Sequence, residues 1–129
     1  MSNTSTGARV LLAEDNLLNQ QLMLDLLGGE GMQVEVAANG REAVTAVEQR
    51  KFDLVLMDIQ MPEMDGLEAT RLIRAQAAFA KLPIIAMTAN VMAEDRARCT
   101  AAGMNDFIPK PIDIDAALKT LTRWLKPAV

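Results

Sequence analysis

Histidine is absent from this sequence of 129 residues, and cysteine occurs once, at Cys99. The missing histidine excludes catalytic triads, histidine-ligated metal sites and a histidine phosphocarrier within the chain. A single cysteine cannot form a disulfide within the chain, which is typical of a reducing cytoplasm, where we expect the protein to work. Tyrosine is also missing, and aromatic residues make up only 3% of the chain.

Long hydrophobic runs and clusters of basic residues are absent too. The apolar runs are too short to span a bilayer, so no membrane contact is expected. A net charge of −4 without clustered lysine or arginine argues against a nucleic-acid surface. Half of the residues are hydrophobic and 23% are charged, as in globular proteins. We expect one domain over residues 9–126, with a flexible N-terminal tail at 1–8 and a C-terminal tail at 127–129.

Apolar segments alternate with helical patterns along the whole chain. Strands are predicted at residues 9–13, 32–37, 52–57, 82–87 and 104–108. Four of the five helices begin at predicted cap residues, which are Asn16, Asn39, Asp65 and Asp113, and the remaining helix covers about 91–102. This alternation predicts an α/β fold, a doubly wound parallel sheet of five strands with five helices on its two faces.

Apolar residues at helical spacing mark the helix faces expected to pack on the sheet. They are Leu18, Leu22 and Leu26 in the first helix, Leu72 and Ile73 in the third, and Ile114, Ala117, Leu118, Leu121 and Leu125 in the last.

Polar side chains follow four of the predicted strands at the point where each strand ends. Glu14 and Asp15 follow the first strand, Asp58 the third, Thr88 the fourth and Lys110 the fifth. Ligands bind doubly wound sheets beyond the carboxyl ends of the strands. If the first and third strands are neighbours, the three acids converge, and like charges raise one another's pKa unless protons or a cation neutralise them.

Oxygen ligands without histidine or cysteine suit a hard divalent ion such as Mg²⁺, which binds one or two carboxylates together with a phosphate. Lys110 would be the counter-charge of that phosphate, and the hydroxyl of Thr88 would donate a hydrogen bond to it. A carboxylate can itself be the nucleophile and form an aspartyl phosphate. We therefore interpret Asp58 as an acid held at a strand end in order to be phosphorylated.

Four motifs in this order carry a family resemblance. They are Glu14-Asp15, MDIQMPEMDG, MTAN and PKP. Together they resemble the receiver, or response-regulator, domain of two-component signalling, over nearly the whole chain. The resemblance implies a flavodoxin-like fold with strand order 2-1-3-4-5. It also implies a domain that takes a phosphoryl group from a partner phosphohistidine and changes conformation to relay the signal.

The resemblance assigns roles to individual residues. Asp58 matches the phosphoacceptor, Asp15 a direct Mg²⁺ ligand, and Glu14 an acid that acts on the metal through water. The backbone carbonyl of Gln60 matches the third protein ligand. Thr88 and Lys110 match the pair that binds the phosphoryl group.

Further positions concern the switch and the lifetime of the phosphoryl group. Phe107 stands at an aromatic switch position where relatives often have Tyr, so a signal here would rest on packing alone; plain core filling is the alternative. Gln60 and Asn90 match positions that tune dephosphorylation. The Lys110–Pro111 bond is expected to be cis.

The resemblance also suggests partners. The phosphoryl donor is expected to be a histidine kinase or a histidine phosphotransfer domain. The segments AEDNLLNQ and MDIQMPEMDGLEATRLIR resemble receivers attached to hybrid sensor histidine kinases, although a stand-alone receiver is also possible. Ala93, Ala97 and Ala101, at helical spacing, leave a weak homodimer open. We expect the chain to catalyse its own phosphorylation and dephosphorylation and not to be a turnover enzyme alone.

Two alternatives remain open at this point. A small phosphohydrolase of the haloacid dehalogenase type also uses an aspartate nucleophile at a strand end. That type needs a second aspartate two residues later, where this chain has Gln60. A degenerate receiver that only binds proteins is the other alternative, and the full set of chemical residues argues against it.

Overall fold

A computed structural model describes residues 8–61, 63–89, 93–110 and 112–125. The strands are β1 (Arg9–Ala13), β2 (Gln33–Ala37), β3 (Leu54–Asp58), β4 (Ile84–Thr88) and β5 (Asp106–Pro109). The helices are α1 (Leu17–Gly29), α2 (Gly40–Gln49), α3 (Gly66–Arg74), α4 (Ala93–Ala102) and α5 (Ile114–Trp124). A short 3₁₀ helix, Ala77–Phe79, separates α3 from β4 and was not predicted from the sequence.

The five strands form one parallel sheet in the order β2-β1-β3-β4-β5, which confirms the predicted fold. Ala13 is paired with Met57, and Asp58 with Met87, so the carboxyl ends of β1, β3 and β4 lie side by side. The strand order reverses between β1 and β3, which is where doubly wound sheets bind their ligands.

Alternate strand residues pack on opposite faces of the sheet, because successive side chains of a strand point to opposite sides. Leu11, Val55 and Met57 belong to a core with α2, α3 and α4. Leu12 and Leu56 belong to a second core with α1 and α5. These strand residues are fully buried, as expected for parallel strands covered on both faces.

The helix starts agree with the predicted caps. The Asn16 side chain accepts a hydrogen bond from the backbone N–H of Asn19, and Asn39 accepts one from Glu42. Asp65 and Asp113 cap α3 and α5 in the same way. Such caps pair backbone N–H groups that have no partner in the first turn of a helix.

The predicted inner face of α1 is correct at Leu26, which packs on the second core, but wrong at Leu18 and Leu22. Met23 and Leu27 are the buried residues of this helix, whereas Leu18 is 81% exposed and Leu22 38% exposed. The cause is that α1 is apolar on most of its circumference, so the spacing alone does not select one face.

Two further residues predicted to pack on the sheet are exposed. Leu72 of α3 is 42% exposed and Ile114 of α5 is 49% exposed, although Ile73, Ala117 and Leu121 are buried as predicted.

No helix among the described residues is both long enough and apolar enough to cross a membrane. The predicted tails fall outside the described residues, apart from Ala8.

Candidate functional site

The side chains predicted to carry the chemistry lie together at the carboxyl edge of the sheet. Glu14 and Asp15 follow β1, Asp58 ends β3, Thr88 ends β4 and Lys110 follows β5. Because these four strands are neighbours, all five residues line one open cavity of about 980 Å³. The sequence prediction that they converge is therefore correct.

The three acids form a compact cluster. One carboxylate oxygen from each of Glu14, Asp15 and Asp58 lies within 4.8 Å of the other two. Glu14 is 1% exposed and Asp58 is 5% exposed, whereas Asp15 faces solvent. Glu14 is held by its backbone N–H, which donates to Ala37 O at 2.9 Å, and its Oε2 accepts from the backbone N–H of Asn16 at 3.1 Å.

Lys110 reaches into this cluster from β5. Its Nζ lies 2.9 Å from Asp58 Oδ2 and 3.2 Å from Glu14 Oε1. The backbone N–H of Lys110 donates to Thr88 O at 2.8 Å, which joins the end of β5 to the end of β4. The ammonium group is thus aimed at the phosphoacceptor candidate while the main chain aligns Lys110 with Thr88.

The carboxyl group of Asp58 is hard to ionise in this setting. Burial raises the pKa of Asp58 from its ordinary value of 3.8 to about 6, and the negative charge of Glu14 adds to the effect, while the hydrogen bond from Lys110 opposes it. Burial alone would lower the pKa of Lys110, but Asp58 and Glu14 outweigh burial and raise it. Lys110 therefore stays protonated where Asp58 titrates.

The acidic cluster fits a hard divalent cation. Glu14 Oε1 is buried and is paired with Lys110 Nζ at 3.2 Å, and it has no other hydrogen-bond partner among the described residues. One ammonium group thus serves three carboxyl groups, so the negative charge of the cluster is only partly offset by the described residues. Three converging carboxylates with no nitrogen or sulfur ligand among them are the donor set that Mg²⁺ prefers.

The loop between β3 and α3 closes one side of the cavity, which Gln60 and Met61 line. The backbone N–H of Gln60 donates to Asp58 Oδ1 at 3.2 Å, so both oxygens of Asp58 have a donor, Oδ1 from Gln60 and Oδ2 from Lys110. This pairing fixes the orientation of the carboxylate before any ligand arrives.

Thr88 is 7% exposed and lines the cavity at the end of β4, next to the strand that ends in Asp58. A threonine hydroxyl at this position can donate to an anion bound between Asp58 and Lys110.

Phe107 does not line the cavity. It is partly buried and packs on the core shared with α3 and α4. The guanidinium carbon of Arg96 lies 5.2 Å from the centroid of its ring, a cation–π contact between α4 and β5 that the sequence analysis did not predict.

Two predicted positions, Asn90 and Pro111, lie outside the described residues, and the predicted cis bond before Pro111 with them.

The sequence analysis also missed residues on the far wall of the cavity. Asp95, Arg98 and Cys99 of α4 line it, and Arg98 Nη1 lies 3.4 Å from Asp95 Oδ1. Acid and base three residues apart on a helix were the available signal. Cys99 is buried, which raises the pKa of its thiol, as is typical of an unreactive packed cysteine.

Residues 10–122 match the response regulator receiver domain family. Sensor protein GacS of Pseudomonas syringae pv. syringae is 42% identical over 124 residues, which cover 94% of this chain and 14% of that protein. The chain spans 14–16% of the length of this and two other curated relatives, both histidine kinases from plants.

Solved structures agree with this match. The receiver domain of sensor histidine kinase PA1611 from Pseudomonas aeruginosa PAO1 superposes with a TM-score of 0.86 at 42% identity, over 92% of this chain and 98% of that chain. That structure has a magnesium ion coordinated in its active-site cleft.

A co-crystal structure of the Saccharomyces cerevisiae histidine phosphotransfer signaling protein Ypd1 with the receiver domain of its downstream response regulator Ssk1 gives a TM-score of 0.87 at 29% identity, covering 93% of this chain and 90% of that chain. The sheet order, the residues gathered at its carboxyl edge and these matches agree. This chain belongs to the response regulator receiver domain family of two-component phosphorelay proteins.

Proposed function

We propose that this receiver domain accepts a phosphoryl group on Asp58 from a phosphohistidine in a Mg²⁺-dependent reaction and relays it as a signal. The observation that carries the proposal is the setting of the Asp58 carboxylate. Its Oδ2 is paired with Lys110, its Oδ1 accepts from the backbone of Gln60, and two further acids lie beside it. A carboxylate that served only to stabilise the fold would not need three charged side chains, those of Lys110, Glu14 and Asp15, beside it in an open cavity.

Asp58 is the nucleophile in this proposal. A carboxylate oxygen of Asp58 bonds to phosphorus while the P–N bond of the phosphohistidine breaks. The electron pair of that bond remains on the imidazole nitrogen, which is then protonated from solvent. With a pKa of about 6, Asp58 is largely ionised at neutral pH and can attack. A bound cation would lower this raised pKa and so increase the ionised fraction.

Glu14, Asp15, Asp58 and the backbone carbonyl of Gln60 would hold the Mg²⁺ ion. When bound, the ion offsets negative charge on the transferring phosphoryl oxygens. The three converging carboxyl groups, which share the single ammonium group of Lys110, support a cation at this place, as does the magnesium-bound PA1611 receiver. Asp15, which faces solvent, would be a direct ligand of the ion, and the buried Glu14 would act on it through water.

Lys110 and Thr88 bind the phosphoryl group in this proposal. The ammonium group of Lys110 neutralises charge that develops on the phosphoryl oxygens, and the Thr88 hydroxyl donates to one of them. Gln60 and Asn90 would set how long the aspartyl phosphate survives before water attacks it. Phe107 would respond to movement of Thr88 through packing in the core below α4.

The donor is proposed to dock on the first half of α1. Leu17 is 77% exposed and Leu18 is 81% exposed, and their neighbours Asn16 and Asn19 line the cavity. An apolar surface beside the nucleophile suits a protein partner that must bring its phosphohistidine to Asp58. A histidine kinase or histidine phosphotransfer domain has that chemistry, and this chain contains no histidine of its own.

We place this reaction in the cytoplasm and favour a receiver attached to a hybrid histidine kinase, since the chain matches a small part of sensor kinases such as GacS. The same match favours a receiver over a phosphohydrolase. No feature of the described residues favours either a receiver that only binds proteins or a homodimer.

Mass spectrometry of the intact chain after treatment with acetyl phosphate tests the proposal. We expect a mass increase of one phosphoryl group with Mg²⁺ and little without it, lost in Asp58→Asn. Asp25→Asn is the matched control, because Asp25 is an exposed acid on α1. Equal labelling of Asp58→Asn and the parent chain would show that the acceptor has been assigned to the wrong residue.

A further inference from the structure

Gly40, the first residue of α2, lies against the backbone of the β3–α3 loop, whose described residues are 59–61 and 63–65. Its N–H donates to Met64 O at 3.0 Å. A Cβ added at Gly40 would lie 2.3 Å from Met64 O, 2.9 Å from Met64 C and 3.0 Å from Asp65 O. These are all backbone atoms, so no side-chain rotation could make room. Any side chain at this position must displace either α2 or the loop.

The loop has little freedom to absorb such a displacement. At its end, Gly66 N donates to Ile59 O at 2.9 Å, which ties the two ends of the loop together. A Cβ at Gly66 would lie 2.2 Å from Asp58 O, so α3 already begins in direct contact with the backbone of the phosphoacceptor. A shift of Met64 therefore also displaces other residues of the loop, among them Gln60.

The middle of the loop is held by α2 as well. Glu63 has a φ of 64°, in the left-handed region that side chains other than glycine and asparagine rarely adopt. Asn39 Nδ2 lies 3.5 Å from Glu63 Oε2, and Asn39 is itself largely buried and caps α2. Two consecutive residues at the start of α2 thus hold the loop in a conformation it would not prefer alone.

We propose that Gly40 is a positioning residue for the metal site. The missing Cβ lets the start of α2 lie against the backbone of the loop that carries Gln60, whose N–H donates to Asp58 Oδ1 at 3.2 Å. Gly40 touches neither of these ligands, and it acts through the backbone of Met64. The inference rests on the proposed function, because it assumes that Mg²⁺ binds at the acidic cluster.

A Mg²⁺ titration of the full chain without any phosphoryl donor, followed by ¹H–¹⁵N NMR, tests this role. We expect Gly40→Ala to weaken Mg²⁺ binding about ten-fold, the size of effect seen when residues that orient metal ligands are changed. The backbone resonances of residues 59–61 should also shift in the metal-free protein. The indole N–H resonance of Trp124, which donates to Asp106 away from the site, should stay in place and report an intact fold.

Gly28→Ala is the matched control. Gly28 lies in α1, and a Cβ added there meets no atom within 4 Å, so Mg²⁺ affinity should equal that of the parent chain. If Gly40→Ala binds Mg²⁺ as tightly as the parent, the inference is wrong. If the parent binds no Mg²⁺, both the inference and the proposed metal dependence fail. If the parent binds Mg²⁺ but is not labelled at Asp58, the proposed function alone fails.

A second pair of variants decides the case if Gly40→Ala does not fold. Both variants lose the contact with Asn39, but Glu63→Val also places a β-branched residue where the backbone is left-handed and should distort the loop. Glu63→Asn favours that backbone conformation and should keep it. We expect weaker Mg²⁺ binding for the valine variant than for the asparagine variant, and equal affinities would contradict a role of loop conformation in metal binding.

Discussion

The ammonium nitrogen of Lys110, which follows β5, lies 2.9 Å from Oδ2 of Asp58, which ends β3, and β4 lies between these two strands in the sheet. Among the described residues, Lys110 is the only cation in contact with the acidic cluster. Lys110→Ala should slow labelling of Asp58 by acetyl phosphate on the order of 100-fold, because phosphoryl charge then develops without a fixed counter-charge. Phosphorylation rates measured by mass spectrometry would check this.

Lys119→Ala is a suitable control for that measurement. Lys119 is an exposed lysine of α5 and does not line the cavity. If both variants are labelled at the parental rate, the ion pair of Lys110 serves stability and not phosphoryl transfer.

The buried carboxyl of Asp58 should make stability depend on pH in metal-free buffer. A pKa raised from 3.8 to about 6 means that the folded state holds the proton more tightly than the unfolded state. The contribution of Asp58 to stability is therefore present below pH 4 and is lost as pH rises to about 7. The shift corresponds to about 3 kcal/mol, since each pKa step of one is worth about 1.4 kcal/mol.

Asp58→Asn removes this titration. Urea unfolding at several pH values should show the variant gaining on the parent chain between pH 4 and pH 7, by up to about 3 kcal/mol. Lys110 stays protonated throughout this range and does not obscure the comparison. A constant difference between the two proteins across this range would mean that Asp58 has an ordinary pKa in the folded state.

Mg²⁺ should stabilise the folded chain, and more at pH 7.5 than at pH 5. A ligand that binds only the folded state raises the melting temperature, and protons compete with the metal for Asp58 once the pH falls below about 6. Thermal unfolding with and without Mg²⁺, at matched ionic strength, measures both effects. An increase in melting temperature that is equally large at pH 5, or that persists in Asp58→Asn, would argue that the metal binds elsewhere.

The exposed leucines of α1 give a test that separates docking from chemistry. Leu18→Asp should slow phosphoryl transfer from a histidine phosphotransfer protein at least ten-fold, because it places a charge in an apolar contact. Labelling by acetyl phosphate, which needs no docking surface, should remain at the parental rate. Leu72→Asp is the control, because Leu72 is a partly exposed leucine of α3 that does not line the cavity. Equal transfer rates for both variants would move the docking site away from α1.

The sequence was sufficient to predict the fold and the meeting of the polar side chains at one edge of the sheet, for a simple reason. Asp58, Thr88 and Lys110 stand directly after or at the end of apolar strands, and parallel strands bring such positions to one edge of the sheet. Their spacing along the chain is therefore enough to predict that they meet. The helix caps were predictable because a cap acts on residues only three positions away in the sequence.

Other features depend on packing that spacing does not encode. Leu18 and Met23 are both apolar residues of α1, and only the position of the sheet decides that the first is exposed and the second buried. The contact of Arg96 with Phe107 joins α4 to β5, and its geometry depends on how α4 lies across the sheet.

Arg74 is a further example of a residue whose role the sequence does not reveal. Its guanidinium donates to Gly103 O, Phe79 O and Asn105 Oδ1, at 2.9, 2.7 and 2.7 Å. These partners are brought together only after α3, the 3₁₀ helix and the α4–β5 turn have packed, so a reader of the sequence would class Arg74 as a solvent-exposed charge of the last helical turn.

The close backbone contacts of Gly40 and Gly66 have a consequence for the genetics of this domain. Every single-nucleotide change that replaces a glycine adds at least a Cβ, and at these two positions that atom would lie 2.2–2.3 Å from a carbonyl oxygen. At Gly28 and Gly29 the same change meets open space. We therefore expect selection for signalling to remove substitutions at Gly40 and Gly66 and to tolerate those at Gly28 and Gly29.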